Sequence, residues 1–282
     1  MTFGIIGMGY VGTALKEGFK SIYEAVTYDI DSSLANCNSI AELVSQTKII
    51  FLCVPTPMKN DGACDLSIVE SVINLIDESI KVKSDKIIII KSTVPPGTTS
   101  KLNDQYKNFS LIFNPEFLTE ANFINDFKNQ SRIILGGDID ISEKIKNFYY
   151  KIFPDAIFIC TDPTHAEMVK YLANTFLATK VSFANEMKVI CDKLDISYTK
   201  VVEYACYDDR LGNSHWSVPG PDGKLGFGGS CFPKDINALI KIASDLDLDT
   251  KILKSVWSTN LKVRPEKDWE KLKGRAISDN NE

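Results

Sequence analysis

Histidine is nearly missing from this chain: only His165 and His215 occur in 282 residues. Seven cysteines (37, 53, 64, 160, 191, 206 and 231) form no CxxC pair. A zinc site or a disulfide framework therefore has no spacing to build on, no metal is expected, and reduced thiols are the default. No run of Lys and Arg breaks the surface, and the net charge is -5. That combination argues against a nucleic-acid binder or an anionic-membrane binder, so a negatively charged ligand would need local capture. Apolar runs such as Ile87-Ile88-Ile89-Ile90 are strand length and far short of a membrane span. The start, Met1-Thr2-Phe3-Gly4, lacks the basic region of a signal peptide, which places the expected location in the cytoplasm.

What the chain does have begins at once. Phe3-Gly4-Ile5-Ile6 reads as a strand, Gly7-Met8-Gly9-Tyr10-Val11-Gly12 as a glycine turn into a helix, and Ala25-Val26-Thr27-Tyr28-Asp29 as a second strand. This is the dinucleotide fingerprint in context. Gly7 permits a tight turn, Gly9 lets a pyrophosphate reach the backbone at the helix N-terminus, and Gly12 lets helix and strand pack closely. Asp29 follows Gly7 by 22 residues, where a carboxylate accepts ribose hydroxyls and repels a 2′-phosphate, favouring NAD over NADP. Strands and helices go on alternating to about residue 160, predicting an α/β class: an N-terminal Rossmann-type doubly wound parallel sheet.

Ligands of such sheets sit at the carboxyl ends of the strands. Three later turns fall there: Pro55-Thr56-Pro57, Ser92-Thr93-Val94-Pro95-Pro96-Gly97, and Asn114-Pro115-Glu116. Glu116 is placed like a catalytic acid or base, although Glu116 and Glu120 fit a solvated first helical turn equally well. Asp65 is a candidate N-cap for the helix that follows it. From His165 to about Leu194 there is no Pro or Gly, and apolar residues recur at helical spacing, predicting one long helix that joins domains or forms a dimer seam. Lys170 and Asn174 lie one turn apart on it, a pair that is usually surface. The division reads as residues 1–163 for the cofactor domain, 164–275 for an all-helical dimerisation and substrate domain, and 276–282 for a disordered polar tail. Thr250 to Lys273 reads as a single helix. Before it, Gly226-Phe227-Gly228-Gly229-Ser230-Cys231-Phe232-Pro233-Lys234-Asp235 delivers a cysteine to the start of another. Cys231 there is either a small buried hydrophobe or a thiolate favoured by the helix dipole.

These stretches, with Lys91-Ser92-Thr93-Val94-Pro95-Pro96-Gly97-Thr98, Asn114-Pro115-Glu116-Phe117-Leu118, Asn185-Glu186 and Tyr207-Asp208-Asp209-Arg210, stand in the order they take in the UDP-glucose/GDP-mannose dehydrogenases, which the chain resembles over about residues 3 to 275. The resemblance implies oxidation of the C6 alcohol of a nucleotide sugar to a carboxylate in two NAD-dependent steps. UDP-glucose going to UDP-glucuronate is the leading case, a reaction that feeds polysaccharide biosynthesis. It implies Cys231 as nucleophile and Lys170 as the cation for developing oxyanions. Asp235, Asn174, Thr93 and Glu116 would position water and handle protons. Gly7, Gly9, Tyr10, Val11, Gly12, Asp29, Thr56, Thr93 and Glu120 would hold NAD. Phe117, Leu118, Lys170, Asn174, Phe227, Gly228 and Gly229 would hold the sugar, with Arg210 reaching the substrate of the other subunit of a homodimer.

Members of the family continue into a second α/β domain that helps grip the nucleotide. This sequence stops at the end of the preceding helix, so the nucleotide grip is expected to be partly absent or supplied by a separate chain. The stretch between Asp29 and Ile49 is also shorter than usual, implying a pared-down cofactor domain. Two other readings fit parts of the sequence. A 3-hydroxyacid dehydrogenase matches the length and the Lys–Asn pair and performs one oxidation, but gives Cys231 and Asp235 no task. A non-catalytic NAD-binding protein would use the glycine turn alone.

Overall fold

Wholly apolar runs become the centre of a sheet. Strands β1 (Thr2–Ile6), β2 (Glu24–Tyr28), β3 (Ile49–Leu52), β4 (Ile87–Ile90), β5 (Ser110–Phe113), β6 (Arg132–Gly136) and β7 (Ile157–Thr161) lie in the order β2-β1-β3-β4-β5-β6-β7. Every residue of β3 and β4 is buried, because both faces of this sheet are covered. The computed structural model describes residues 1–279.

Helices α1 (Tyr10–Phe19), α2 (Ile40–Gln46), α3 (Ser67–Ser79), α4 (Thr98–Gln105), α5 (Phe123–Lys128) and α6 (Ile139–Tyr150) alternate with the strands, followed by α7 (Pro163–Lys193), α8 (Tyr198–Ala205), α9 (Phe232–Asp245) and α10 (Lys251–Val263). Side chains of a strand alternate between faces. Ile50, Leu52, Ile88 and Ile90 join one apolar layer with residues of α2, α3 and α4, while Ile49, Phe51, Ile87 and Ile89 join the other with α1, α5 and α6. The sheet departs from the expected parallel arrangement at one place: β5 and β6 run antiparallel, paired only through Phe113 and Gly136.

The chain divides into two compact units, one made of Met1–Thr56 with Leu66–Lys170, the other of Pro57–Asp65 with the residues from Tyr171 on. The expected division at 163/164 lay ahead of α7, whereas the first turns of α7 belong with the sheet. Ala166 is in its apolar layer. The buried carboxylate of Glu167 accepts the backbone N–H groups of Gly97 (2.5 Å) and Thr99 (2.8 Å) at the start of α4. Asp65 comes two residues before α3, whose N-cap is Leu66; its carboxylate accepts the Ser278 hydroxyl at 2.6 Å.

In the second unit, one apolar cluster gathers Ala178, Phe227, Ile236 and Val256, and another Ala184, Cys191 and Tyr198. The expected helix to Lys273 ends ten residues earlier, at Val263. Pro265 drives the preceding residue out of helical geometry, and Arg264 sits at φ -128°, ψ 66°. The expected tail is held where it is described: Ala276 is buried, its carbonyl accepts Met58 N–H at 2.9 Å, and Ser278 N–H returns to Met58 O at 2.8 Å. The rest of that tail, residues 280–282, lies outside the described residues.

Candidate functional site

The first unit brings its predicted residues to one edge of the sheet. Gly7 follows β1, Asp29 follows β2, Thr56 lies beyond β3, Thr93 beyond β4 and Glu116 beyond β5, all at carboxyl ends. A Cβ on Gly12 would meet the Gly7 carbonyl oxygen at 2.0 Å, whereas one on Gly9 would meet nothing within 4 Å. Protein packing thus demands glycine at 12 but not at 9, where open space above the N-terminus of α1 suits a pyrophosphate. The Asp29 carboxylate accepts the N–H groups of Met8 (2.6 Å) and Asp31 (2.9 Å), which fixes it beside that turn. The Tyr10 ring packs on Phe123, and the Thr56 hydroxyl donates to Thr93 O at 2.8 Å. These residues fit a bound NAD.

Glu116 lies in a non-helical segment well before α5, so the first-turn alternative falls away. Its side chain is 11% exposed and that of Lys170 is 3% exposed, and the Lys170 ammonium donates to Glu116 Oε1 (3.1 Å) and to its carbonyl (2.5 Å). Leu118 N–H donates to Glu116 Oε2 at 2.7 Å. Burial opposes the Glu116 charge, but the Lys170 ammonium, the Leu118 N–H and the Lys91 ammonium together hold its carboxyl below the ordinary range. Phe117 lies under the Lys170 ammonium, 5.4 Å from the ring centre. Glu120 is exposed beyond this segment.

Beneath Glu116 is a polar network that sequence reasoning did not identify as part of the site. Lys91 directly follows the apolar β4 and is 4% exposed. Its ammonium donates to Asn114 Oδ1 (3.0 Å) and Pro115 O (3.4 Å); the Tyr149 hydroxyl donates to the same Asn114 oxygen (2.6 Å), and Asn114 Nδ2 donates to Ile134 O (2.7 Å). Burial pulls the Lys91 ammonium down to about 8, against the pull of Glu116 and Cys53. Burial also pushes the Cys53 thiol up to about 12. The available signal was a cation closing a wholly apolar strand.

The second unit holds the cysteine. Cys231 is the N-cap of α9, partly buried, and its carbonyl accepts Asp235 N–H at 2.9 Å. Asp235 is 1% exposed, accepts Asn174 Nδ2 at 2.6 Å, and is paired with the ammonium of Lys234. Burial alone would depress that ammonium, yet the charges of Asp235, Cys231 and Cys64 beside it raise it above the ordinary lysine range. Cys231 thus stands at a helix N-terminus with the Lys234 ammonium beside it. Lys234 is a second functional candidate missed in the sequence, visible only as the residue before Asp235. Phe227 is 4% exposed, with its ring in the apolar cluster. The Arg210 guanidinium is 88% exposed and folded back on Asp208. Among the described residues, no group of three His, Cys, Asp or Glu side chains could hold a metal ion, and no helix is long and apolar enough to cross a membrane.

Comparison with known proteins gives the chain a family. Residues 24–154 match the family model described as the UDP-glucose/GDP-mannose dehydrogenase family NAD binding domain, and residues 164–262 match its central domain. A UDP-glucose 6-dehydrogenase from Rickettsia bellii is 39% identical over 230 residues, covering 79% of this chain and 51% of that protein. The chain thus spans about half the length of this curated relative. Among solved structures, a UDP-glucose dehydrogenase from Pyrobaculum islandicum superposes with a TM-score of 0.82 at 31% identity, covering 93% of this chain and 68% of that one. A 3-hydroxyisobutyrate dehydrogenase from Mycobacterium tuberculosis reaches a TM-score of 0.76 over 94% of both chains, but at 15% identity it shares the fold alone. With both of its units matched by the same family, the chain belongs to the UDP-glucose/GDP-mannose dehydrogenases.

Proposed function

We propose that this chain is a cytoplasmic, NAD-dependent enzyme that oxidises the C6 alcohol of a nucleotide sugar to a carboxylate, with UDP-glucose as substrate. The observation that carries the reading is Cys231 at the head of α9, with Lys234 beside it and the Asp235–Asn174 bond one turn along. An alcohol needs no sulfur to lose a hydride, but an aldehyde does gain from one. The thiolate adds to the aldehyde carbon, forming a C–S bond and an oxyanion. The resulting thiohemiacetal gives up a second hydride to become a thioester, and water cleaves the C–S bond to release carboxylate and thiol. When bound, NAD accepts the hydride in each oxidation.

The roles follow from the groups. Lys170 is the cation for the oxyanions, with Glu116 on its ammonium holding it in place. Asp235 and Asn174 orient water for thioester cleavage, and Thr93 lines the cofactor turn. Gly7 to Gly12, Asp29, Thr56 and Glu120 hold NAD. Phe117 and Leu118 contact the sugar through their backbone, and Gly228 and Gly229 lie on its path to the thiol. The seven cysteines, with no CxxC spacing among them, suit a reducing compartment.

With the purified chain, UDP-glucose should yield two NADH per sugar, and Cys231→Ala should lower turnover by about a thousandfold or more. One NADH with an indifferent Cys231→Ala would instead support a single oxidation, and saturable NAD binding without reduction by any UDP- or GDP-sugar would leave a binding protein. On α7, Leu172, Phe176, Val189 and Ile190 are 48–62% exposed, which supports this helix as a homodimer seam that also brings Arg210 to a second subunit's substrate. Light scattering at micromolar concentration should give twice the chain mass; monomer alone would remove the seam.

A further inference from the structure

The segment that leads into Cys231 has neither strand nor helix to hold it. Residues 212–231 form turns and bends, so their backbone groups must find partners elsewhere. For Phe227 both partners come from one side chain. Asn260, on α10 and 0% exposed, accepts Phe227 N–H at its Oδ1 (2.7 Å) and donates from Nδ2 to Phe227 O (2.9 Å). A primary amide is the right group for this task, because it offers a donor and an acceptor in one plane, as a neighbouring strand would.

Two further groups flank that contact. Asn185 of α7, 3% exposed, accepts Gly226 N–H at 3.2 Å. Arg264 lies one turn beyond Asn260 and is 2% exposed; it donates to Leu225 O (3.3 Å) and is itself held by Asp222 (2.6 Å) and Asp268 (2.6 and 3.0 Å). The glycines answer to this clamp. A Cβ on Gly226 would lie 2.4 Å from Asn260 Oδ1, and one on Gly228 would lie 2.5 Å from the Arg264 guanidinium. Gly226 and Gly228 are therefore required by what lies beneath the loop. The Phe227 ring adds an apolar anchor, packed with Phe232 and Trp257.

We infer that Asn260 is a positioning residue for Cys231: by fixing Phe227, four residues upstream, it sets where the sulfur stands and so couples the second oxidation to the first. The inference rests on the cysteine chemistry proposed above. Its asymmetry comes from that chemistry. Loss of the first hydride makes no bond to sulfur, whereas thiohemiacetal formation does, and a misplacement of about 1 Å can cost about 10²-fold in a bond-forming step. A loosened loop should therefore let the aldehyde escape before it is trapped.

The test compares wild type with Asn260→Ala, Asn260→Asp and, as a stability control in the other unit, Ile73→Ala, each as the full chain. With UDP-glucose and NAD, Asn260→Ala should fall from two NADH per sugar toward one and release an aldehyde that hydroxylamine captures as an oxime. Asn260→Asp keeps an acceptor for Phe227 N–H but loses the donor, and should fall between. Ile73→Ala, which empties a fully buried site without touching the loop, should lose stability and keep two NADH. Independently of turnover, Asn260→Ala should speed amide hydrogen exchange at Phe227 about tenfold, and should change the rate at which iodoacetamide alkylates Cys231 about threefold or more, corresponding to about 1.4 and 0.7 kcal/mol. Two NADH per sugar with unaltered alkylation in Asn260→Ala would overturn the inference. If wild type reduces no NAD with any nucleotide sugar, the functional reading fails, while exchange and alkylation still report on the clamp.

Discussion

The sheet unit and the helical unit hide very different things. In the first, two continuous apolar layers sandwich the strands, and an aromatic knot centred on Phe19 touches Phe3, Tyr23, Phe51, Phe127, Phe148, Tyr149 and Phe153. In the second, the apolar clusters are small, and Asn174, Ser182, Asn185, Asp235, Asn260 and Arg264 are buried with hydrogen-bond partners. Apolar burial is non-directional, so the sheet unit owes its stability to area. Buried polar pairs gain little net energy but are costly to leave unmade, so the helical unit owes its shape to pairing. The cofactor turn accordingly stands on a rigid sheet edge, whereas Cys231 follows a loop whose backbone is held by buried polar side chains.

The largest effect that would break this comparison is on stability. Phe19→Ala removes a ring with 0% exposure from the knot and should cost about 3–5 kcal/mol, read as a shift in the urea midpoint. The Asn260 variants, which leave Phe227 backbone groups unpaired, should be told apart by their effect on the number of NADH formed per sugar, which Phe19→Ala should leave unchanged. If Phe19→Ala costs under about 1 kcal/mol, the knot is not what holds the first unit and the contrast collapses.

Legibility in the sequence follows the same contrast. The fully apolar runs of β3 and β4, the glycine turn and the Pro/Gly-free stretch of α7 could be read because area and backbone rules act locally. The Cys231 motif was legible because glycine, cysteine and aspartate stand in one short segment. The antiparallel joint of β5 and β6 was not, since a single pair, Phe113 with Gly136, leaves no periodic trace. Nor were Asn260 and Arg264, because a polar residue on an amphipathic helix reads as surface until a loop folds over it. Lys91 and Tyr149 were missed for the same reason: their shared partner Asn114 is distant in sequence from both. The end of α10 could have been read from Pro265.

A smaller effect would sharpen the comparison, because the first unit also carries a buried polar network, under Glu116. Lys91 titrates near 8 when folded and near 10.5 as a free side chain. Between those values the unfolded chain keeps a proton that the folded chain has released, so stability rises with pH across the window. Below about 8 the cost of burying the charge is fully present; above about 10.5 it is gone. Cys53, with its thiol raised, contributes an opposite slope at higher pH, and comparison with a second protein is needed to separate the two. Relative to Lys91→Met, wild type should therefore gain on the order of 2 kcal/mol between about pH 8 and 10.5, measured by urea unfolding of both proteins at several pH values. A flat difference would mean that Lys91 keeps its proton throughout. The network beneath Glu116 would then be a permanently charged one, held by fixed polar pairing as the backbone before Cys231 is.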